Sequence, residues 1–144
     1  MNYLGVDPGK SGAMAVVDGD GGLVEVIRLD NTLRDVWEWL DRHRAEISFA
    51  VLEKVSAMPK QGVASTFKFG MSFGHCEMAL AAAGVRYELV TPAKWQGAMS
   101  CRSKGDKNVT KARAQQLFPG AKVVHATADA LLLADYARRI RTVE

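Results

Sequence analysis

The stretch "YLGVDPGKSGAMAVVDGDG", residues 3–21, constrains the fold more tightly than any other part of the chain. An apolar run ends on a bare carboxylate, Asp7, and Pro8-Gly9 turns the chain at once. A second run of small and apolar residues follows, and Asp18-Gly19-Asp20-Gly21-Gly22 turns the chain again. This pattern reads as a β-hairpin with an acid at its open end. Gly9-Lys10-Ser11 suggests a phosphate loop, but that motif needs a glycine five positions before Gly9 and a helix after the serine. The required position is Leu4, Gly5 is one residue off, and a strand follows. The feature to explain is therefore Asp7.

The chain has 144 residues, of which 48% are apolar. That is enough to bury the core of one domain, residues 1–144, and too apolar for disorder. No apolar run approaches the roughly 18 residues of a membrane helix, and the first residues lack the basic start and apolar stretch of a signal peptide. No membrane partner is expected. Cys76 and Cys101 make no disulfide framework and no zinc-knuckle spacing, so Cys76 reads as buried in a helix and Cys101 as an incidental loop residue. A reducing cytoplasm fits best.

Charge is unevenly spread. Residues 1–85 hold 8 Lys and Arg against 11 Asp and Glu, whereas residues 86–144 hold 11 against 5. Most of the excess lies in "KWQGAMSCRSKGDKNVTKAR", with Lys94, Arg102, Lys104, Lys107, Lys111 and Arg113 against Asp106 alone. Such a cluster suits a polyanion, or forms a solvated loop and helix face.

Residues 2–7, 12–18 and 22–29 read as three strands joined by Gly/Asp turns. Residues 32–46 read as a helix with Leu33, Val36, Trp37 and Leu40 on one face. "SFAVLEKV" is a short apolar strand carrying Glu53, and "SAMPKQGVAS" a loop. A long helix covers 65–83, and "RYELVTP" is a fifth strand halted by Pro92. A basic loop, a helix over 110–118 and a last helix from about 127 complete the chain. The order β-β-β-α-β-α-β-α-α predicts an α/β fold of ribonuclease-H-like (RNase-H-like) type. Its mixed sheet has three antiparallel strands, then parallel ones, with helices on its faces.

Three acids fall at telling points of that order. Asp7 ends the first strand, Glu53 lies near the end of the fourth, and Asp129 opens the last helix in "HATADALLLADYARR". An acid in an apolar run is costly unless something pairs with it. Hard divalent cations such as Mg²⁺ offer that pairing through oxygen ligands, and two ions about 4 Å apart can drive phosphodiester hydrolysis. Each acid also has an ordinary use: Asp7 in capping its turn, Glu53 in pairing with Lys54, Asp129 at the positive end of a helix. His125, four residues before Asp129, is open between a metal ligand, a proton-transfer group and a structural residue.

Taken together, "GVDPGKSGA", "LEKVSAMPKQGVASTFKFGMSFG", "LVTPAKWQ", "KGDKNVTKARAQQLFPG" and "HATADALLLADYARR" resemble the RuvC-type Holliday junction resolvases. The likeness is greatest to their short bacteriophage members and the plant chloroplast enzymes. The resemblance implies a homodimer, Mg²⁺ or Mn²⁺, and paired nicks across a four-way DNA junction. It places Asp7, Glu53 and Asp129 as metal-binding catalytic acids and His125 as a matching histidine, a ligand or a proton shuttle. Bacterial members more often carry that upstream ligand three residues before the acid, which is Ala126 here. Lys107 matches a lysine near the active site. DNA contacts are expected from Lys10, Lys60, Lys94, Arg102, Lys104 and Lys111, with Met58 wedged against unstacked bases. The location implied is the host cytoplasm for a phage member, or an organelle for a plastid one. For the dimer, the long helix offers Ala64, Gly70, Gly74 and Ala81 for close packing and Phe67, Phe69 and Phe73 for apolar area. The alternative is that these aromatics fill the monomer core.

Rival readings remain. Actin-like ATPases and sugar kinases also open with a strand, an Asp and a hairpin, but need two such domains. A non-catalytic nucleic-acid-binding module would not need the acids. An RNase-H-like nuclease acting on RNA or ordinary duplex would carry the same ones.

Overall fold

The structure, a computed structural model, describes residues 1–54 and 60–142. Strands β1 (Asn2–Asp7), β2 (Ala13–Asp18) and β3 (Leu23–Arg28) come first. They are followed by α1 (Leu33–His43), a 3₁₀ turn (Arg44–Glu46) and β4 (Ile47–Glu53). Then come α2 (Val63–Ala83), β5 (Tyr87–Val90), α3 (Pro92–Ala98), α4 (Lys107–Leu117) and α5 (His125–Thr142). The five strands form one mixed sheet in the order β3-β2-β1-β4-β5. β2 is antiparallel to both β1 and β3, while β4 is parallel to both β1 and β5. This is the RNase-H-like arrangement that the element order predicts.

Strand alternation divides the core into two layers. Leu4, Val6, Met14, Val16, Ala50 and Leu52 pack on one side with residues of α1 and α2. Tyr3, Ala13, Ala15, Val17, Phe49 and Val51 pack on the other with residues of α3, α4 and α5. Gly5 belongs to this second side. A Cβ there would run into the backbone of Ala130 and Ala134, so α5 lies directly on β1. Asp7 and Glu53 continue the same alternation, two residues beyond Gly5 and Val51, and therefore share the face that α5 covers.

Four local expectations change. Pro92 starts α3 instead of ending a strand into a loop: Thr91 is its N-cap and Pro92 stands in the first turn, where a missing N–H costs nothing. Helix α4 begins at Lys107, three residues before the expected start, because the Asp106 carboxylate accepts the Asn108 N–H at 2.9 Å. In α1 the buried residues are Val36, Trp39 and Leu40, and Leu33 is 63% exposed. That helix is turned by Glu25 on β3, whose Oε1 accepts the indole N–H of Trp39 at 2.8 Å and whose Oε2 bonds His43 Nε2 at 2.9 Å. Cys101, expected as an incidental loop residue, belongs to the core, as does Cys76.

The aromatics of the long helix divide between the core and the surface. Phe73 packs partly into the monomer core, but Phe67 is 68% exposed and Met78 66% exposed. Positions Gly70 and Gly74 face open space. Phe67 is therefore not a core residue, and a stripe of apolar and small residues runs along α2 uncovered. Among the described residues, no helix is long and apolar enough to cross a membrane.

Candidate active site

Parallel pairing of β1 with β4 sets Val6 opposite Leu52, so the next residues, Asp7 and Glu53, end neighbouring strands at one edge of the sheet. Helix α5 starts at His125, two residues earlier than expected. His125 and Asp129 therefore stand one turn apart on its first turns. Lys107 is the first residue of α4.

The acids feel one another. Burial pushes the Asp7 carboxyl well above the usual carboxylate range, and the charges of Glu53 and Asp129 push it further, against the opposing pull of Lys107. Burial raises Glu53 to about 7; the Trp95 hydrogen bond lowers it and the Asp129 charge adds to the rise. Asp129 is raised by burial, while its hydrogen bond with the Thr110 side chain and the Lys107 charge draw it back. Three carboxyl groups from three elements thus share one pocket in which burial disfavours their charged forms.

The donor chemistry fits a hard divalent cation, since the pocket offers the carboxylate oxygens of three acids. The pocket is not a finished cage: among the described residues no group of three or more His, Cys, Asp or Glu side chains stands ready to hold a metal ion. Glu53 Oε2 accepts the indole Nε1–H of Trp95 at 2.6 Å.

Two openings meet at this pocket. A groove of about 1080 Å³ is lined by Asp7, Lys10, Lys107, His125 and Asp129, and extends between α1 and α2. A smaller one of about 460 Å³ shares Lys107, Thr110 and Asp129 and adds Arg102 and Lys104. Lys60, Lys94 and Lys111 line neither groove, and Lys60 and Lys94 are exposed. Met58 lies outside the described residues. Gly9, in the turn after Asp7, donates its N–H to Ser72 Oγ of α2 at 2.8 Å, and the Phe69 ring lies against it.

Sequence reasoning quoted but gave no role to Trp95, Thr110 and Ser72. It also passed over Lys68 and His75, which line the large groove. Trp95 alone had a usable signal: Thr91-Pro92 is a helix start, which places Trp95 one turn inside.

Sheet topology and helix order define an RNase-H-like fold. More narrowly, the fold is of RuvC type. The structure is similar over 99% of its length to Thermus thermophilus RuvC, covering 97% of that chain at TM-score 0.67 and 20% identity. It is similar to the same organism's RuvC in complex with a Holliday junction substrate at TM-score 0.69 and 21% identity, covering 99% of this chain and 96% of that one. The sequence matches no family model and no curated protein.

Proposed function

We propose that the protein is a divalent-metal-dependent endonuclease that resolves four-way DNA junctions by paired symmetric nicks. The observation that carries this reading is the convergence of Asp7, Glu53 and Asp129 from β1, β4 and α5, with Lys107 acting on Asp7 and Asp129 where two grooves meet and Glu53 buried behind them. The RuvC-type fold supports it, because a protein of that fold has been solved on a Holliday junction.

Asp7, Glu53 and Asp129 would hold Mg²⁺ or Mn²⁺, with His125 a further ligand or a proton shuttle. Bound there, the ions supply Lewis acidity that activates an attacking water and offsets charge growing on the scissile phosphate. Lys107 adds a fixed positive charge beside that phosphate. Lys10, Arg102 and Lys104 guide the strand along the two grooves through phosphate contacts. Lys60, Lys94 and Lys111 serve farther from the reacting phosphate.

Two cuts in a symmetric junction call for two equivalent sites, which a two-fold dimer provides. The exposed stripe of α2 is our candidate for its interface. The chain would work as one nuclease domain in the cytoplasm, or in an organelle for a plastid-type member.

The test incubates the protein with labelled four-way junction, linear duplex and RNA–DNA hybrid, with and without Mg²⁺. Paired nicks in the junction alone, dependent on the ion, are the expected result. Cleavage of hybrid or duplex in preference to the junction makes the protein a different RNase-H-like nuclease.

A further inference from the structure

We propose that Trp95 is a positioning residue for the catalytic acid Glu53, fixing how its carboxylate faces a divalent cation. The proposal rests on the nuclease reading above and adds a role to a residue outside the acid set.

Glu53 is 9% exposed and Trp95 0% exposed. Between them runs a 2.6 Å hydrogen bond linking residues 42 apart in sequence. Indole is a donor only, so it can serve only an unprotonated oxygen of Glu53. The indole engages one lone pair of Oε2, which fixes the rotation of the carboxylate and so which of its remaining lone pairs would face an ion.

Both ends of the bond are held. The Glu53 backbone pairs with Val90 in the sheet, and the Lys54 N–H donates to the Val90 carbonyl at 2.7 Å. The Trp95 ring belongs to the same packed core as Met99, Cys101 and Ala114. Its helix, α3, is capped by Thr91 and also grips the basic loop. Gln96 Oε1 accepts the Ser103 N–H at 3.4 Å, and the Arg102 guanidinium lies 3.1 Å from where a Cβ on Gly97 would stand. Three consecutive residues, 95 to 97, thus tie the catalytic acid to the segment expected to hold DNA.

Outer partners of metal ligands typically govern affinity by about 10- to 100-fold. Trp95→Phe keeps an aromatic ring, though a smaller one, and removes the donor. Mn²⁺ binding to DNA-free protein, measured by titration calorimetry, should weaken by about that factor. Nicking at low Mg²⁺ should fall, with partial recovery at high Mg²⁺. A purely structural role would leave this metal dependence unmoved. A second readout does not require the variant to fold. The native chain has three tryptophans, so protein labelled with 5-fluorotryptophan gives a ¹⁹F signal for Trp95 that Trp37→Phe and Trp39→Phe identify by elimination. Mn²⁺ is paramagnetic, so Mg²⁺ is the probe here. The signal should shift as Mg²⁺ binds in the native protein and stay still in Glu53→Gln. Native-like Mn²⁺ affinity in a folded Trp95→Phe, or a Trp95 signal unmoved while Mg²⁺ binds, overturns the proposal and leaves the nuclease reading standing. A native protein that takes up no divalent ion overturns both.

Discussion

Ser72 Oγ, on α2, accepts the backbone N–H of Gly9 at 2.8 Å across 63 positions of sequence. The turn that follows Asp7 is thereby fastened to the helix that carries the exposed apolar stripe. Ser72→Ala removes one neutral hydrogen bond and should cost about 1 kcal/mol in denaturant unfolding. On the proposed function, its effect on nicking should be larger than that loss implies, because the turn it fastens follows the metal-binding acid Asp7. Equal and small losses in both measurements would leave Ser72 a structural fastening only.

Asp7→Asn, Glu53→Gln and Asp129→Asn should each abolish nicking and leave junction affinity intact or slightly tighter. Binding depends mainly on phosphate contacts from cations, and each change removes a negative charge that faces DNA. Gel-shift titration beside single-turnover cleavage separates the two effects. Normal cutting by Asp129→Asn would remove that residue from the site.

The same acids set a pH dependence of stability in the metal-free protein. Glu53 is raised from its ordinary 4.5 to about 7, and Asp7 and Asp129 are raised too. In that window the folded state keeps protons that the unfolded chain has released, so stability falls as pH rises. Glu53 alone corresponds to a loss on the order of 3 kcal/mol across it. Melting in EDTA should therefore drop between about pH 5 and pH 8, less steeply for Asp7→Asn, and Mg²⁺ should restore the native protein at the upper end. A native melting temperature that is flat or rises through this range would contradict the burial of these acids and the repulsion that adds to it.

Lys107 should behave unlike the other cations. It opposes the rise at both Asp7 and Asp129 and lines both grooves. Lys107→Ala should cut the single-turnover rate by about two orders of magnitude or more with junction affinity nearly unchanged. Lys104→Ala, in the smaller groove only, should weaken binding and lower its salt slope by about 1. Lys107→Arg keeps the charge but not the compact ammonium, so part of the rate should return. Full recovery of Lys107→Ala at saturating protein would reduce Lys107 to a phosphate contact.

Phe67 and Met78 are largely exposed on α2, so a charge there should leave monomer stability within about 0.5 kcal/mol. Phe67→Glu and Met78→Glu should shift sedimentation from dimer to monomer and uncouple the paired nicks into single ones. A native protein that sediments as a monomer, free and junction-bound, would rule out the α2 interface.

How much was legible follows from which interactions are local. The hairpin, the order of elements and the shared face of Asp7 and Glu53 follow from strand alternation and turn residues, which act over a few positions. Asp129 at the start of a helix was readable for the same reason. The rotation of α1 was not, because Glu25 on a neighbouring strand selects Trp39 and His43 over Leu33. Helix α3 was hidden by a proline that ends some elements and begins others. The bond between Trp95 and Glu53 belongs to tertiary structure alone. It joins residues 42 apart, and only the packing of α3 into the core layer shared with β4 and α5 decides that a buried indole donor meets the Glu53 carboxylate there.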